Sequence, residues 1–328
     1  MKIIDLSKIE NKSKNTKRIN SFADDIDKGL SLKNKAISSK YFYDDRGSKI
    51  FQRITKHPDY YLTNNEIEIL NKVKLKLPNI LKLKEIDIIE LGPGDGSKSK
   101  IIIEGFLKKN YIVNYYPIDI SKKALKLIKR NVKENNRLNI NGIVSEYIAG
   151  LSYIKNASKN KQLILFLGSN IGNFERSQSI EFMKSINNNI KKDSYVFIGF
   201  DLKKDPRKLN KAYNDSSNLT KKFNLNLLIR INNDLQANFN LKKFIHYGTY
   251  NPLLGAMESF LISKKKQQVN IKKIKKVYSF ETNETIHLEY SFKYTIEDIE
   301  NLAKKSKYTI EKSYKNNDKG FINALWKK

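Results

Sequence analysis

Residues 88–100 read IIELGPGDGSKSK: an apolar run closing on Glu90 and Leu91, glycines at 92, 94 and 96, and then a stretch suited to a helix. This order constrains the fold more than any other feature. A buried strand that stops at glycines and continues as a helix is one βα step of a parallel sheet. The glycines let backbone amides approach a ligand without Cβ collisions, and the first turn of the helix offers unpaired N–H groups. A dinucleotide loop of the form G-x-G-x-x-G would need glycine at position 97, which is Ser97.

The step repeats along the chain. A strand near 112–118 ends in Asp119, Ser121 caps the next helix, and a strand near 142–147 follows. Strands at 162–167 and 194–200 flank a helix around 177–190. The alternation predicts a doubly wound, Rossmann-like α/β core. Within it the spacing E-x-G-x-G, supplied by Glu90, Gly92 and Gly94, is typical of S-adenosylmethionine sites. Asp119 stands where an acid would accept both ribose hydroxyls. Glu146 and Tyr147, at the end of the third strand, offer a carboxylate and a ring for adenine. The loop FLGSNIGNF (166–174) follows the fourth strand, and its Asn173 carries both a donor and an acceptor.

After Asp201 the alternation fails. Helical runs are followed by short strand-like runs between 256 and 291, and the tail from 296 reads as a helix plus a hairpin returning to the sheet edge. Residues 1 to about 60 are polar and irregular. The expected organisation is a cofactor-binding Rossmann-like domain over 62–201 and 292–328, and an α+β substrate-binding domain over 1–61 and 202–291.

Composition narrows the chemistry. The chain has no cysteine, which excludes disulfides, thiolate metal sites and thiol nucleophiles, and makes the reducing cytosol the simplest location. His57, His246 and His287 lack any metal-ligand spacing, so no metal is expected. No segment approaches the ~20 apolar residues of a membrane span. The net charge of +29 would ordinarily suggest nucleic acid, but the lysines are spread through every segment together with asparagine and isoleucine, as in AT-rich coding, and form no stripe. The expectation is a cytoplasmic monomer acting on a small molecule.

Four phrases carry a resemblance over nearly the full length: YFYDDRGSKIFQRITKHPDYYLT, ELGPGDGSKSK, FLGSNIGNFE, and DLKKDPRKLNKAYND with IHLEYSFKY. With them the chain resembles the histidine Nα-methyltransferases of ergothioneine biosynthesis. The resemblance implies a class I methyltransferase core and transfer of three methyl groups in succession from S-adenosylmethionine to the histidine α-amino nitrogen, giving hercynine. It implies an amino-acid pocket of Tyr43, Tyr60, Gly168, Asn173, Tyr213, Glu289 and Ser291, with Asn173 and Tyr213 on the substrate carboxylate and Glu289 and Ser291 facing the imidazole. Gly92, Lys98, Asp119, Glu146 and Tyr147 would contact the cofactor. Tyr43 and Tyr60 are the candidates to accept the amino proton. Where the family commonly has Met beside the substrate side chain, this chain has Ser259. A same-family enzyme on a tryptophan-like amine therefore stays open. An RNA or DNA methyltransferase is the reading from another class, and the adenine-methylase signature [D/N]-P-P-[Y/F] is absent.

Overall fold

The computed structural model describes residues 1–6 and 14–328; residues 7–13, within the segment 1–61 that the sequence reading gives to the substrate-binding domain, lie outside the described residues. The strands in chain order are β1 (Lys2–Asp5), β2 (Glu85–Leu91), β3 (Ile112–Asp119), β4 (Leu138–Val144), β5 (Gln162–Phe166), β6 (Tyr195–Asp201), β7 (Phe244–Asn251), β8 (Ala256–Ser263), β9 (Gln267–Ile271), β10 (Lys276–Phe280), β11 (Thr285–Phe292), β12 (Thr309–Lys315) and β13 (Phe321–Lys327). The helices are α1 (Lys14–Ser31), α2 (Asp45–Ile54), α3 (Tyr61–Val73), α4 (Lys76–Leu81), α5 (Ser97–Lys108), α6 (Lys122–Asn131), α7 (Tyr147–Ala157), α8 (Arg176–Asn189), α9 (Pro206–Tyr213), α10 (Leu219–Leu235) and α11 (Ile296–Lys305). They fall into two compact units, one of Met1–Asn11, Leu62–Lys203 and Lys293–Lys328, the other of Lys12–Tyr61 and Lys204–Phe292.

The first unit is built on one sheet in the order β1-β4-β3-β2-β5-β6-β13-β12. Strands β1 to β6 pair in parallel, while β13 returns antiparallel to β6 and carries β12 at the edge. The central strands are mostly apolar and almost wholly buried because helices cover both faces: all five residues of β5 and six of the seven in β2 are buried, Asp87 and Glu90 among them. From β2 the chain steps through α5 to β3, whereas from β5 it steps through α8 to β6 on the opposite side. The winding therefore reverses between β2 and β5. At such a reversal the loops leaving adjacent carboxyl ends diverge and open a crevice. The two loops concerned are the glycine turn at 92–96 and the turn at 168–173. This is the α/β, Rossmann-like core that the alternation implies.

Strands β1 and β7 differ from the sequence reading, and β4 runs from Leu138 to Val144 instead of near 142–147. Lys2–Asp5, placed by that reading in the polar, irregular segment 1 to about 60, pairs with β4 from Lys2↔Asn141 to Asp5↔Val144. Four residues at a sheet edge are too few to show a period. Strand β7 was not read at all, because as an edge strand it buries only Phe244 and Gly248.

In the second unit α1, α2 and α10 share a core with the three-stranded antiparallel sheet β11-β8-β7, through Phe22, Ile26, Ile54, Phe223, Leu227, Phe244, Leu261 and Leu288. Residues 35–37 bridge to the edge strand β11 of that sheet at a single point. Ile37 N–H donates to His287 O at 2.9 Å, and His287 N–H donates to Lys35 O at 2.8 Å.

Candidate functional site

The glycine turn of the first unit is closed on one side and open on the other. Gly92 and Gly94 have φ of +67° and +59°, the left-handed region that L side chains avoid. A Cβ at Gly92 would stand 2.6 Å from Tyr147 Oη, whereas a Cβ at Gly94 would meet no atom within 4 Å. The Gly92 N–H donates to Ile118 O at 3.1 Å, which ties the turn to the end of β3 and so to Asp119. An acid there, a tyrosine hydroxyl against the backbone and an open glycine face form a cradle that fits a nucleoside-bearing cofactor.

Burial sets the electrostatics. Glu90, 3% exposed at the end of β2, accepts a hydrogen bond from Tyr115 Oη, whose oxygen also lies 2.9 Å from Ser99 Oγ. Loss of solvent outweighs these donors and pushes the Glu90 carboxyl up to about 7. Asp119 is likewise raised by burial, to about 6, against the opposing N–H of Ser121 at 2.7 Å. Burial first, then the carboxylates of Asp119, Glu146 and Glu90, raises the Tyr147 phenol well above its ordinary range. Tyr147 is therefore a neutral hydroxyl at any physiological pH.

A stability prediction follows for the ligand-free protein. Glu90 titrates near 4.5 when unfolded and about 7 when folded, so its contribution is fully present below about 4.5 and is lost as pH rises through about 7. Glu90→Gln removes this titration. Its stability relative to the parent protein is expected to rise by about 3 kcal/mol between these limits. Denaturant titrations of both proteins at several pH values measure it, and a flat difference would show that Glu90 ionises normally.

The sequence reading placed Glu146 and Tyr147 at a strand end; β4 stops at Val144, and the pair instead opens α7, with Glu146 exposed at its N-cap. Lys98, the second residue of α5, forms an ion pair with Glu66 at 2.7 Å. Gly168, at φ +80°, donates its N–H to the same carboxylate at 2.8 Å. Asn170 stands between the turns, its Nδ2 3.9 Å and its Oδ1 3.5 Å from the Cβ positions of Gly92 and Gly168. Asn173 closes the short 3-10 turn Asn170–Asn173 with its side chain exposed. The first unit thus gathers Glu90, Gly92, Lys98, Asp119, Tyr147 and Gly168 around the reversal in the sheet. It adds Glu66 and Asn170, which sequence reasoning missed. The signal for Glu66 was available: it is a charge inside the stripe Leu62, Ile69, Leu70 and Val73 of an otherwise amphipathic helix.

The remaining candidates belong to the second unit. Glu289 of β11 lies opposite Ser259 of β8, and Ser291 lies opposite Met257, so these four share one face of the sheet. A bulge between His287 and Glu289 sets that register. Strict alternation from Ile286 would turn Glu289 to the other face, where Tyr290 packs on His287 at 4.1 Å between centroids; the extra residue, Leu288, re-aims it. Tyr213 donates from Oη to Ser291 Oγ at 2.7 Å. Its backbone carbonyl lies 3.0 Å from His246 Nε2, and the Asn214 amide pairs with both backbone groups of Gly248. These contacts fasten the end of α9 onto β7. Tyr43, 39% exposed, meets Phe51 and Phe223 edge-on at 5.4 and 5.5 Å, and Tyr60 packs on the same Phe51 at 6.4 Å. Among the described residues, no group of three or more His, Asp or Glu side chains could hold a metal, and no helix is long and apolar enough to cross a membrane.

Comparison with known proteins gives the chain's family. Residues 22–328 match the model of a family described as histidine-specific methyltransferase, SAM-dependent. The chain is 27% identical over 271 residues to a histidine N-alpha-methyltransferase of Mycobacterium tuberculosis, covering 82% of this chain and 83% of that protein. A histidine N-alpha-methyltransferase of Mycolicibacterium smegmatis is 27% identical over 277 residues, covering 84% and 85%. Ergothioneine biosynthesis protein 1 of Schizosaccharomyces pombe is 25% identical over 293 residues, which are 87% of this chain but 38% of that longer protein.

Proposed function

The chain belongs to the family of histidine-specific, S-adenosylmethionine-dependent methyltransferases, and on that premise we propose that it adds up to three methyl groups in turn to the α-amino nitrogen of L-histidine, giving hercynine. We assign cofactor binding to Glu90, Gly92, Gly94, Lys98, Asp119, Glu146 and Tyr147. Histidine recognition falls to Tyr43, Tyr60, Gly168, Asn173, Tyr213, Ser259, Glu289 and Ser291. The enzyme works as a cytoplasmic monomer, with no nucleic-acid partner. The observation that carries the cofactor half is the Tyr147 hydroxyl against Gly92 at the reversal of the sheet. The substrate half is supported by the single face shared by Ser259, Glu289 and Ser291.

The cofactor supplies a methyl group on a sulfonium, displaced in line by a nitrogen lone pair. The protein's work is therefore alignment, exclusion of water and handling of one proton per turnover. An α-amino group arrives mostly protonated at neutral pH. Burial among aromatic rings lowers its pKa, so the ammonium gives its proton to a water that carries it to solvent, while the hydroxyl oxygen of Tyr43 or Tyr60 accepts a hydrogen bond from the amine or from that water. The same rings suit a nitrogen that ends as a fixed cation, by about 0.5–2 kcal/mol of cation–π attraction. A pocket that favours the methylated cation over the free amine allows successive transfers.

Incubating the protein with S-adenosylmethionine and each amino acid, then weighing the products, tests this directly. Histidine is expected to gain three methyl groups. A mass shift confined to tryptophan-like amines, or to RNA, would overturn the substrate assignment.

A further inference from the structure

Glu66 is a fully buried carboxylate in α3, on the face where Leu62, Ile69, Leu70 and Val73 enter the core. A purely structural position there would be apolar, since a buried charge loses its hydration and needs several partners in return. Three elements bring those partners. Lys98 Nζ from α5 donates at 2.7 Å, the Gly168 N–H from the turn after β5 at 2.8 Å, and Asn323 Nδ2 from β13 at 3.0 Å. Two glycines make room: a Cβ at Gly199 would collide with Glu66 Oε1, and a Cβ at Gly168 would stand 3.3 Å from Lys98 Nζ.

Lys98 also needs explaining. It is the second residue of α5, at the positive end of the helix dipole, where a cation is disfavoured. Glu66 offsets that cost and fixes the ammonium beside the 168 turn. Lys98 at the positive end of α5 forms an electropositive point suited to a carboxylate, yet an uncompensated charge there would repel a sulfonium. Paired with Glu66, Lys98 keeps two further N–H donors for short-range contact while its field at longer range is cancelled.

We propose that Glu66 is a positioning residue for cofactor binding, one that acts through Lys98 and locks the glycine turn after β2 to the turn after β5. The proposal rests on the assignment of Lys98 and the glycine turn to the cofactor. Its test is a double-mutant cycle on Glu66→Gln and Lys98→Met, read as the calorimetric affinity for S-adenosylhomocysteine, with the unfolding midpoint of each ligand-free protein. Glutamine keeps an acceptor for the Gly168 N–H, and its amide can donate to Asn323 once that side chain turns its oxygen inward. Each single variant is expected to bind about 10- to 100-fold more weakly than the parent. The double variant is expected to bind no more weakly than Lys98→Met alone.

A lowered midpoint with unchanged affinity in Glu66→Gln would make the residue merely structural and overturn the proposal. So would losses that multiply in the double variant. Should Glu66→Gln alone fail to fold, Lys98→Met against the double variant, which leaves no unpaired charge, still decides: equal affinity supports the proposal and a further loss sinks it. If the parent protein itself does not bind S-adenosylhomocysteine, the assignment of the glycine turn fails instead.

Discussion

Gly92→Ala is expected to weaken S-adenosylhomocysteine binding by about 100-fold. Two costs combine. Alanine at φ +67° pays about 1–2 kcal/mol for the left-handed conformation, so the ligand-free turn relaxes away from it and must be driven back on binding. The new methyl also lands 2.6 Å from Tyr147 Oη and has to displace that ring, at a further ~1–3 kcal/mol. The second cost can be isolated. Tyr147→Phe removes the oxygen and leaves the ring carbon Cζ at 3.6 Å, an ordinary contact. In a Gly92→Ala background that change should restore at least part of the affinity, roughly tenfold, after correction for its effect alone. An alanine variant that binds as the parent does would show that the turn is not held against the tyrosine. No rescue by phenylalanine would show that the backbone conformation alone carries the loss.

What the sequence disclosed and what it hid divide along a physical line. The glycine turn, Asp119 and the β2 and β5 runs were legible because each is decided within a few residues: a buried parallel strand is mostly apolar, and a left-handed turn selects glycine. The reversal of winding that turns two loops into one crevice follows from that order. Glu66 stands out locally as a charge inside an apolar stripe, but its role was hidden, because its partners lie 32, 102 and 257 residues away. The bulge at Leu288 was hidden for a related reason. HLEYS has no marker such as glycine, and only pairing with β8 shows that Glu289 faces Ser259. Edge strands such as β1 and β7 are half solvated or short, so burial leaves too faint a pattern in them.

Glu289→Ala should separate the two halves of the activity. If the carboxylate accepts the imidazole N–H of histidine, its removal leaves that group without a partner in a desolvated pocket, at about 2–3 kcal/mol. The expected result is a fall in kcat/KM for histidine of about 30- to 150-fold, with affinity for S-adenosylhomocysteine changed by less than about twofold. Glu289→Gln refines the assignment. Glutamine keeps an oxygen acceptor of the same reach but no charge, so it should recover much of the loss above pH ~7, where free imidazole is neutral, and less below it, where imidazolium seeks an anion. Ser259 bears on the same contact, because its small hydroxyl lies directly across the strand pair and leaves the carboxylate without an apolar neighbour at that position. Equal losses of histidine turnover and cofactor affinity in Glu289→Ala would mean that the residue holds the second unit together and recognises no ring. A variant still as active on histidine as the parent would move ring recognition elsewhere on the sheet.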